Sequence, residues 1–334
     1  MKAIISYEQF EKIVLNPEKY HDWNNIFKHH IDIDLNIEQK CIEELEIDTN
    51  SVLFHFINIT GGKFCNTYNS ELDFEKESSK VFFEEKVYQP NNGDLLIDNE
   101  TLENPFKLSY GKSFEKNDSI NIANKKGWKA LFHQKNLMSN ALIINDSYVF
   151  DNKENQTKVG SKNIMELLDA ILPDQLDIEY HILINTTTSK NKTNTFYDNF
   201  IADLIEKIAQ LRSYKIIIEV IIGEGFHKRK LYTNFLNVTT DKGFKLFDTR
   251  DSSKVLDHND VTIETMFTRN DPNQGDSQYD EMKIRIKELR KLIKASLDWI
   301  NADTYNNTRS FYYSNIKQEG KIEIRNRLYG YNYR

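Results

Sequence analysis

Short apolar runs alternate with helix-like segments through the second half of the chain. Three runs rich in Ile, Leu and Val predict buried strands: 141–144, 181–184 and 215–222. Two intervening segments carry apolar residues every three or four positions and predict amphipathic helices: 164–171 and 196–211. Two further apolar runs predict more strands: 231–238 and 243–247. Strand, helix, strand, helix, strand and a hairpin is the order of one compact α/β sheet.

The first part of the chain has a less regular pattern. Residues 7–45 predict helix, with Tyr7, Phe10 and Ile13 at helical spacing. The apolar run Val52–Ile59, which ends at two glycines, predicts a strand. Two shorter strands are predicted further on: 81–87 and 95–97. We therefore divide the chain into an N-terminal α/β region of unknown role, 1–130, and a second α/β domain, 131–334.

One long helix, 282–300, follows the predicted sheet. Its apolar positions form a single stripe: Met282, Ile286, Leu289, Ile293, Leu297 and Ile300. Lysine and arginine occupy much of the remaining surface, which predicts an amphipathic helix that packs on the sheet and exposes a basic face. The same basic face would also suit a protein partner.

Charge is unevenly distributed along the 334 residues, although the net charge is only −7. Residues 1–100 carry 20 acidic and 9 basic side chains, whereas residues 281–334 carry 12 basic and 6 acidic ones. Such polarity fits matching of charges within the molecule, and it equally fits a basic surface for a polyanion. Two cysteines exclude a disulfide framework, and no run of about 20 apolar residues predicts a membrane span. We expect a cytoplasmic protein.

One segment combines residues with phosphate chemistry: it runs from Gly223 to Asn234 and contains His227 and Arg229. In an extended chain alternate side chains share a face, so His227 and Arg229 would point the same way, and the intervening Lys228 and Lys230 would be surface residues. An imidazole beside a guanidinium suits a phosphate, because histidine transfers protons or attacks phosphorus and arginine binds two oxygens. The alternative interpretation is that His227 and Arg229 are ordinary solvated side chains at the start of a strand, with no ligand.

The spacing His227-x-Arg229-x4-Asn234, placed after this order of strands and helices, resembles the HKD motif of the phospholipase D superfamily. The resemblance implies a half-domain with a mixed sheet and flanking helices, followed here by the basic helix. It also implies a metal-free site without cofactors, in which His227 is the nucleophile, Arg229 holds phosphate and Asn234 takes the place of the supporting aspartate. The abundance of Asn, Ile and Lys, with this resemblance, suggests a bacterial defence or mobile-element protein.

Two of the three motif positions depart from the family. Arginine still binds phosphate, but asparagine lacks the charge that would steady an imidazolium. We therefore expect a protein that binds nucleic acid or a phosphorylated ligand with little or no turnover. The alternatives are a metal-independent phosphodiesterase or nuclease, acting as a dimer through His227, and a structural or regulatory subunit of a complex.

Cations and aromatic residues interleave near the C-terminal end, a mixture that suits stacking on bases and pairing with phosphates. The candidate binding residues are Arg229 with Lys317, Lys321, Arg325 and Arg327. The same segment would also suit a terminal strand packed on the protein. Glu219 on the strand 215–222 is interpreted as structural, since no acidic-x-Lys nuclease pattern accompanies it, and His181 as an ordinary core or surface histidine.

Overall fold

The structure is a computed structural model of the chain. It describes the following residues: 2–29, 32–61, 65–67, 79–83, 92–103, 109–113, 127–132, 139–147, 157–187, 194–223, 229–246, 259–265, 278–302 and 310–330. The fold is mixed α/β, as the sequence predicts. Its strands form two sheets, one of five strands and one of eight.

The five-stranded sheet comes from the first 96 residues and is parallel throughout. Its strands are β1 Lys2–Ile5, β2 Asp32–Leu35, β3 Cys65–Thr67, β4 Val81–Phe82 and β5 Leu95–Leu96, in the order β3-β2-β1-β4-β5. The helices of this part are α1 Tyr7–Leu15, α2 His21–His29, α3 Gln39–Ile47, α4 Val52–Thr60 and α5 Asn99–Glu103. The predicted continuous helix 7–45 is therefore wrong, because a strand, β2, interrupts it.

The predicted strand over Val52–Ile59 is also wrong, since these residues form helix α4. Ser51 caps the helix start, because its Oγ accepts a hydrogen bond from the Phe54 backbone N–H at 2.9 Å. Gly61 ends the helix in the left-handed region, at φ 72°. An apolar run of this length fits either element, and the caps at its two ends decide for helix.

The eight-stranded sheet is mixed, with the order β13-β9-β8-β7-β10-β11-β12-β6. Its strands are β6 Ser109–Ser113, β7 Ala141–Asn145, β8 Tyr180–Thr187, β9 Ile216–Gly223, β10 Lys230–Thr233, β11 Leu236–Thr240, β12 Asp260–Thr265 and β13 Phe311–Ser314. Its helices are α6 Gly127–Phe132, α7 Thr157–Ile171, α8 Asn194–Ala209, α9 Gln278–Asn301 and α10 Arg327–Gly330. Strands β7, β8 and β9 are parallel, and each remaining pair is antiparallel.

Helices cover both faces of the parallel strands. Alternate residues of β7 and β8, such as Leu142 and Ile182, pack with the apolar faces of α7 and α8. The intervening residues, such as Ile143 and Leu183, pack against α9 and α10. Strands buried on both faces carry the continuous apolar runs seen in the sequence. The predicted strands 141–144, 181–184 and 215–222 and helices 164–171, 196–211 and 282–300 are thereby confirmed.

The region after β9 departs from the predicted strands. The run 231–238 forms a tight hairpin, β10 and β11, because the Thr233 hydroxyl accepts hydrogen bonds from the Phe235 and Leu236 backbone N–H groups at 3.2 and 3.0 Å. Residues 243–246 form no strand. Gly243 has φ 80°, and the Asn259 amide donates to the carbonyls of Gly243 and Lys245, so these groups have no strand partner.

The two sheets meet where β7 begins. Asn140 Nδ2 donates to the Asn92 carbonyl at 3.1 Å, and a Cβ on Gly93 would lie 2.6 Å from the Ser139 backbone. One continuous hydrophobic core includes residues of both sheets. Strand β6, from the predicted N-terminal region, pairs with β12 in the eight-stranded sheet. The division of the chain at residue 130 stays a prediction.

Within the described ranges, none of the helices combines the length and apolar composition needed to cross a membrane.

Candidate functional site

Three polar side chains line up across neighbouring strands at the carboxyl end of β7. Strand β10 runs antiparallel to β7 with Lys230 opposite Asn145, and Asn145 lies opposite Asn185 on β8. Cross-strand partners share one face of a sheet, so Lys230, Asn145 and Asn185 form what we call the polar row. The carboxyl edge of parallel strands is where α/β proteins commonly bind ligands.

Contacts within the polar row hold its amides in place. Asn185 Nδ2 donates to Asn145 Oδ1 at 2.9 Å, and both residues are buried. The Lys230 side chain is 15% exposed, and its Nζ lies 3.9 Å from Glu281 Oε1 on α9. The prediction that Lys230 is a surface residue is therefore wrong. Helix α9 covers this face of the sheet and withdraws the lysine from most of the solvent.

An acidic side chain lies beside the polar row on the antiparallel strands. Glu264 on β12 accepts from Asn237 Nδ2 on β11 at 3.5 Å. Burial raises the pKa of the Glu264 carboxyl, Lys230 acts to lower it, and Glu281 raises it again. Glu264 therefore retains its proton to higher pH than an ordinary glutamate.

The end of β9 is in close contact with α9. A Cβ on Gly223 would lie 2.3 Å from Ser296 Oγ, closer than real carbon–oxygen contacts allow. A larger residue at position 223 would therefore have to displace the Ser296 side chain. Gly223 and Ser296 mark a close contact between the end of β9 and α9.

The structure separates the described residues of the predicted motif, and His227 lies outside the described residues. The Arg229 guanidinium donates through Nη1 to the Asp241 carbonyl. Because successive side chains of a strand alternate, Arg229 and Lys230 project towards opposite faces of the sheet. Asn234 lies beyond the other end of β10 from Arg229. The structure thus brings Arg229 to the same sheet edge as the polar row, but not Asn234.

Asn234 is buried and fully engaged with the start of β7. Its Oδ1 accepts from the backbone N–H groups of Asn140 and Ala141 at 3.0 and 3.1 Å. Its Nδ2 donates to Asn140 Oδ1 at 3.2 Å. The side chain acts as acceptor and donor together, a combination that an amide provides and an ionised carboxylate does not.

The C-terminal cations lie at a different place from the polar row. Lys317, Lys321 and Arg325 are exposed, whereas Arg327 is 6% exposed and donates through Nη1 to the Asn140 carbonyl at 3.2 Å. Asn140 precedes β7, so this contact is at the amino edge of the parallel strands. The interpretation of the segment as a docked terminal strand agrees with β13, which pairs with β9.

Glu219 anchors this C-terminal segment from the middle of β9. Its carboxylate accepts from the Arg325 and Asn326 backbone N–H groups at 3.0 and 2.9 Å and from the Tyr312 hydroxyl at 3.1 Å. Burial raises the pKa of Glu219, and these donors only partly offset that effect. The structural role predicted for Glu219 is confirmed by these contacts.

His181 holds the same segment from β8. Its Nδ1 lies 2.8 Å from the Arg325 carbonyl and its Nε2 lies 3.0 Å from Glu179 Oε1. Burial, followed by the nearby Arg327, lowers the pKa of His181, so the ring is neutral near pH 7. His181 is a buried, hydrogen-bonded histidine, as the sequence analysis expects.

The sequence motif does not include the two amides of the polar row or Glu264. Asn145 follows an uninterrupted apolar run and ends β7, and Asn185 follows the apolar run of β8, two residues before that strand ends. That position was the available signal, because carboxyl ends of parallel strands gather at one edge. Glu264 gave no such signal, since only the pairing of β11 with β12 brings it near. In the described part of the chain, His, Cys, Asp and Glu side chains do not gather in groups of three that would hold a metal.

Comparisons with known proteins leave the family open. No protein-family model matches the chain, and no curated protein matches it. Among solved structures, Marinitoga piezophila Argonaute in complex with 5′ OH guide RNA and target DNA aligns at 11% identity with a TM-score of 0.16. That alignment covers 87% of this chain and 49% of the Argonaute chain, so the chain spans about half of the Argonaute length. A similarity of this size carries no argument about fold or function.

Proposed function

We propose that this chain contains a phospholipase-D-like domain that binds a phosphate-bearing ligand, as nucleic acid or a smaller phosphorylated molecule, with little or no turnover. The observation that carries the proposal is the antiparallel pairing of β10 with β7. This pairing puts two successive cations at the sheet edge where β7 ends at Asn145. Lys230 lies on the face that carries Asn145 and Asn185, and Arg229 projects towards the opposite face. Cations with amide donors nearby are the groups that bind phosphate oxygens.

Binding without turnover follows from Asn234. In the family pattern this position holds an aspartate, and here the side chain is neutral, buried and bonded to the start of β7. It offers no negative charge to stabilise an imidazolium, so activation of His227 as a nucleophile would be weak. A bacterial defence or mobile-element role remains part of the same proposal.

Titration of fluorescently labelled single-stranded DNA and RNA in EDTA tests this function. We expect Arg229→Gln and Lys230→Gln each to weaken binding about tenfold and to lower the slope of log affinity against log salt by about one. Lys207→Gln is the matched control, because Lys207 is an exposed cation on α8 that pairs with Asp203. Unlabelled nucleotides and inorganic phosphate as competitors distinguish a polymer from a small ligand.

Three results would contradict the proposal. Affinity that depends on Lys317, Lys321 and Arg325 instead of Arg229 and Lys230 would move binding to the amino edge. Cleavage in EDTA that His227→Ala abolishes would favour the phosphodiesterase or nuclease. Absence of binding to every phosphate probe, with the protein folded, would favour the structural or regulatory subunit.

A further inference from the structure

Helix α9 carries an exposed apolar stripe on the side away from the sheet. Ile284, Leu292 and Trp299 are 56%, 44% and 47% exposed. They are eight and seven residues apart, about two turns each, so they lie on one side of the helix. The buried stripe, which includes Ile286 and Ile293, faces the sheet instead. About half of each of the three residues in the outer stripe is therefore exposed to solvent.

Basic residues border this stripe. Lys283, Lys287, Lys291 and Lys294 recur every three or four positions along one flank. Lys294 forms an ion pair with Asp298 at 2.6 Å, and Arg285 on the other flank pairs with Glu288 at 3.0 Å. Basic residues nevertheless outnumber acidic ones on the helix. We call the three apolar residues and the four lysines the α9 surface.

A second exposed surface has the opposite charge. Among the described residues, the large hydrophobic side chains that are exposed form two sets of three: the α9 stripe, and Leu15, Ile47 and Ile59, at 62%, 78% and 71%. The second set lies on α1, α3 and α4, and α4 packs against both of the other helices. Exposed acidic residues accompany Ile47 on α3 and just after it: Glu43, Glu44, Glu46 and Asp48. We call this the α3 surface.

We infer that the α9 surface of one copy of the chain docks on the α3 surface of a second copy. Both surfaces are exposed in the single chain, so they are not joined to each other within it. One offers apolar side chains beside lysines and the other offers apolar side chains beside carboxylates, which is the complementarity that orients protein association. This inference is independent of the proposed ligand site.

The two surfaces differ, so the contact is heterologous. Each docked copy keeps one unused surface, and further copies add until a ring closes or a chain extends. Association therefore increases with protein concentration without stopping at a symmetric dimer. Its ionic component weakens as salt rises, because exposed charges are screened.

Sedimentation velocity over a concentration series tests the inference with two variants. Leu292→Ser/Trp299→Ser alters only the α9 surface, and Ile47→Ser/Ile59→Ser alters only the α3 surface. The wild-type chain should associate, and each variant should associate at least about tenfold more weakly. An equimolar mixture of the two variants should form complexes of two copies, because one intact surface of each kind remains. Lys207→Ala on α8, outside both surfaces, should associate like the wild type.

The outcomes discriminate between arrangements. If the α3 variant associated as strongly as the wild type while the α9 variant did not, the contact would be α9 with α9, and the inference would be overturned. A wild-type chain that stays monomeric at every concentration and at low salt would also overturn it. Circular dichroism of each variant confirms that the exposed substitutions leave the fold intact.

Discussion

Asn234 has a structural role at the position where the proposed phospholipase-D-like pattern would have an aspartate. Its amide satisfies two backbone N–H groups at the start of β7 and donates to Asn140 Oδ1. Asn140 in turn donates through Nδ2 to the Asn92 carbonyl, at the contact between the two sheets. The asparagine is therefore part of a buried network in which each member has a partner.

Replacing Asn234 by alanine should lower the free energy of unfolding by about 2–4 kcal/mol, because two buried backbone N–H groups lose their acceptor. Urea denaturation followed by circular dichroism measures this change. Asn234→Asp keeps the acceptor but faces a carboxylate towards Asn140 Oδ1, so it should also destabilise, and less so at low pH where it is protonated. Unchanged stability of Asn234→Asp at neutral pH would show that the donated hydrogen bond is dispensable.

Glu219 gives a pH-dependent prediction at the same scale. Burial raises its pKa in the folded state above the ordinary value of 4.5. Its contribution to stability is therefore fully present below the unfolded pKa and is lost as pH rises through the folded pKa. Relative to the wild type, Glu219→Gln should gain stability as pH rises from about 4.5 through the raised pKa. Urea midpoints of both proteins between pH 4 and 8 measure it, and a difference that does not change with pH would contradict it.

At the scale of elements, hydrophobic periodicity identifies helix α9, whereas capping residues identify helix α4. Helix α9 was predictable because its apolar residues follow one stripe over about five turns, and that stripe packs on the sheet. Helix α4 was not, because a nine-residue run with apolar residues on most sides has no clear period. The residues that indicate a helix are the N-cap Ser51 and the C-terminal Gly61, which lie outside the apolar run itself.

The buried and exposed stripes of α9 provide a matched pair of substitutions. Ile286→Ala should cost about 2–4 kcal/mol, because Ile286 is completely buried against the sheet. Ile284→Ala should change stability by no more than about 0.5 kcal/mol, because Ile284 is 56% exposed. Urea denaturation at low protein concentration separates these intramolecular effects from association. Equal costs would mean that α9 is rotated from the position described.

At the scale of the molecule, the contact between the two sheets depends on a glycine. Gly93 has φ 76° and lies against the Ser139 backbone, whereas Gly61 has φ 72° with no atom within 4 Å of a built Cβ. Both glycines adopt the left-handed backbone, so they differ only in what surrounds them.

Gly61→Ala should cost about 1 kcal/mol from backbone strain alone. Gly93→Ala should cost at least about 3 kcal/mol, because a methyl group must also displace the Ser139 backbone. Thermal unfolding measures both variants, and soluble yield with protease resistance serves if the Gly93 variant unfolds. Similar costs at the two positions would argue against the close approach of the sheets.

The candidate site was only partly accessible from the sequence. The spacing after Gly223 identified the segment that leads to Arg229 and Lys230, but strand alternation alone assigned Lys230 to the surface. Helix α9, some 50 residues later in the chain, covers that face and withdraws Lys230 from solvent. Arg325 and Arg327 looked equivalent by composition, yet Arg325 is exposed and Arg327 donates to the buried Asn140 carbonyl.

The sequence by itself determined the α/β class, the buried strands, the longer amphipathic helices and the absence of a charged aspartate at position 234. These properties depend on residue type and local periodicity, and both can be read from the sequence without knowledge of the fold. Tertiary structure decided which strands are neighbours, and thereby that Lys230, Asn145 and Asn185 form one row. Strand pairing brings Asn145 beside Asn185, 40 positions later in the chain, and beside Lys230, 85 positions later. Hydrophobic periodicity describes each strand separately and does not say which strands pair.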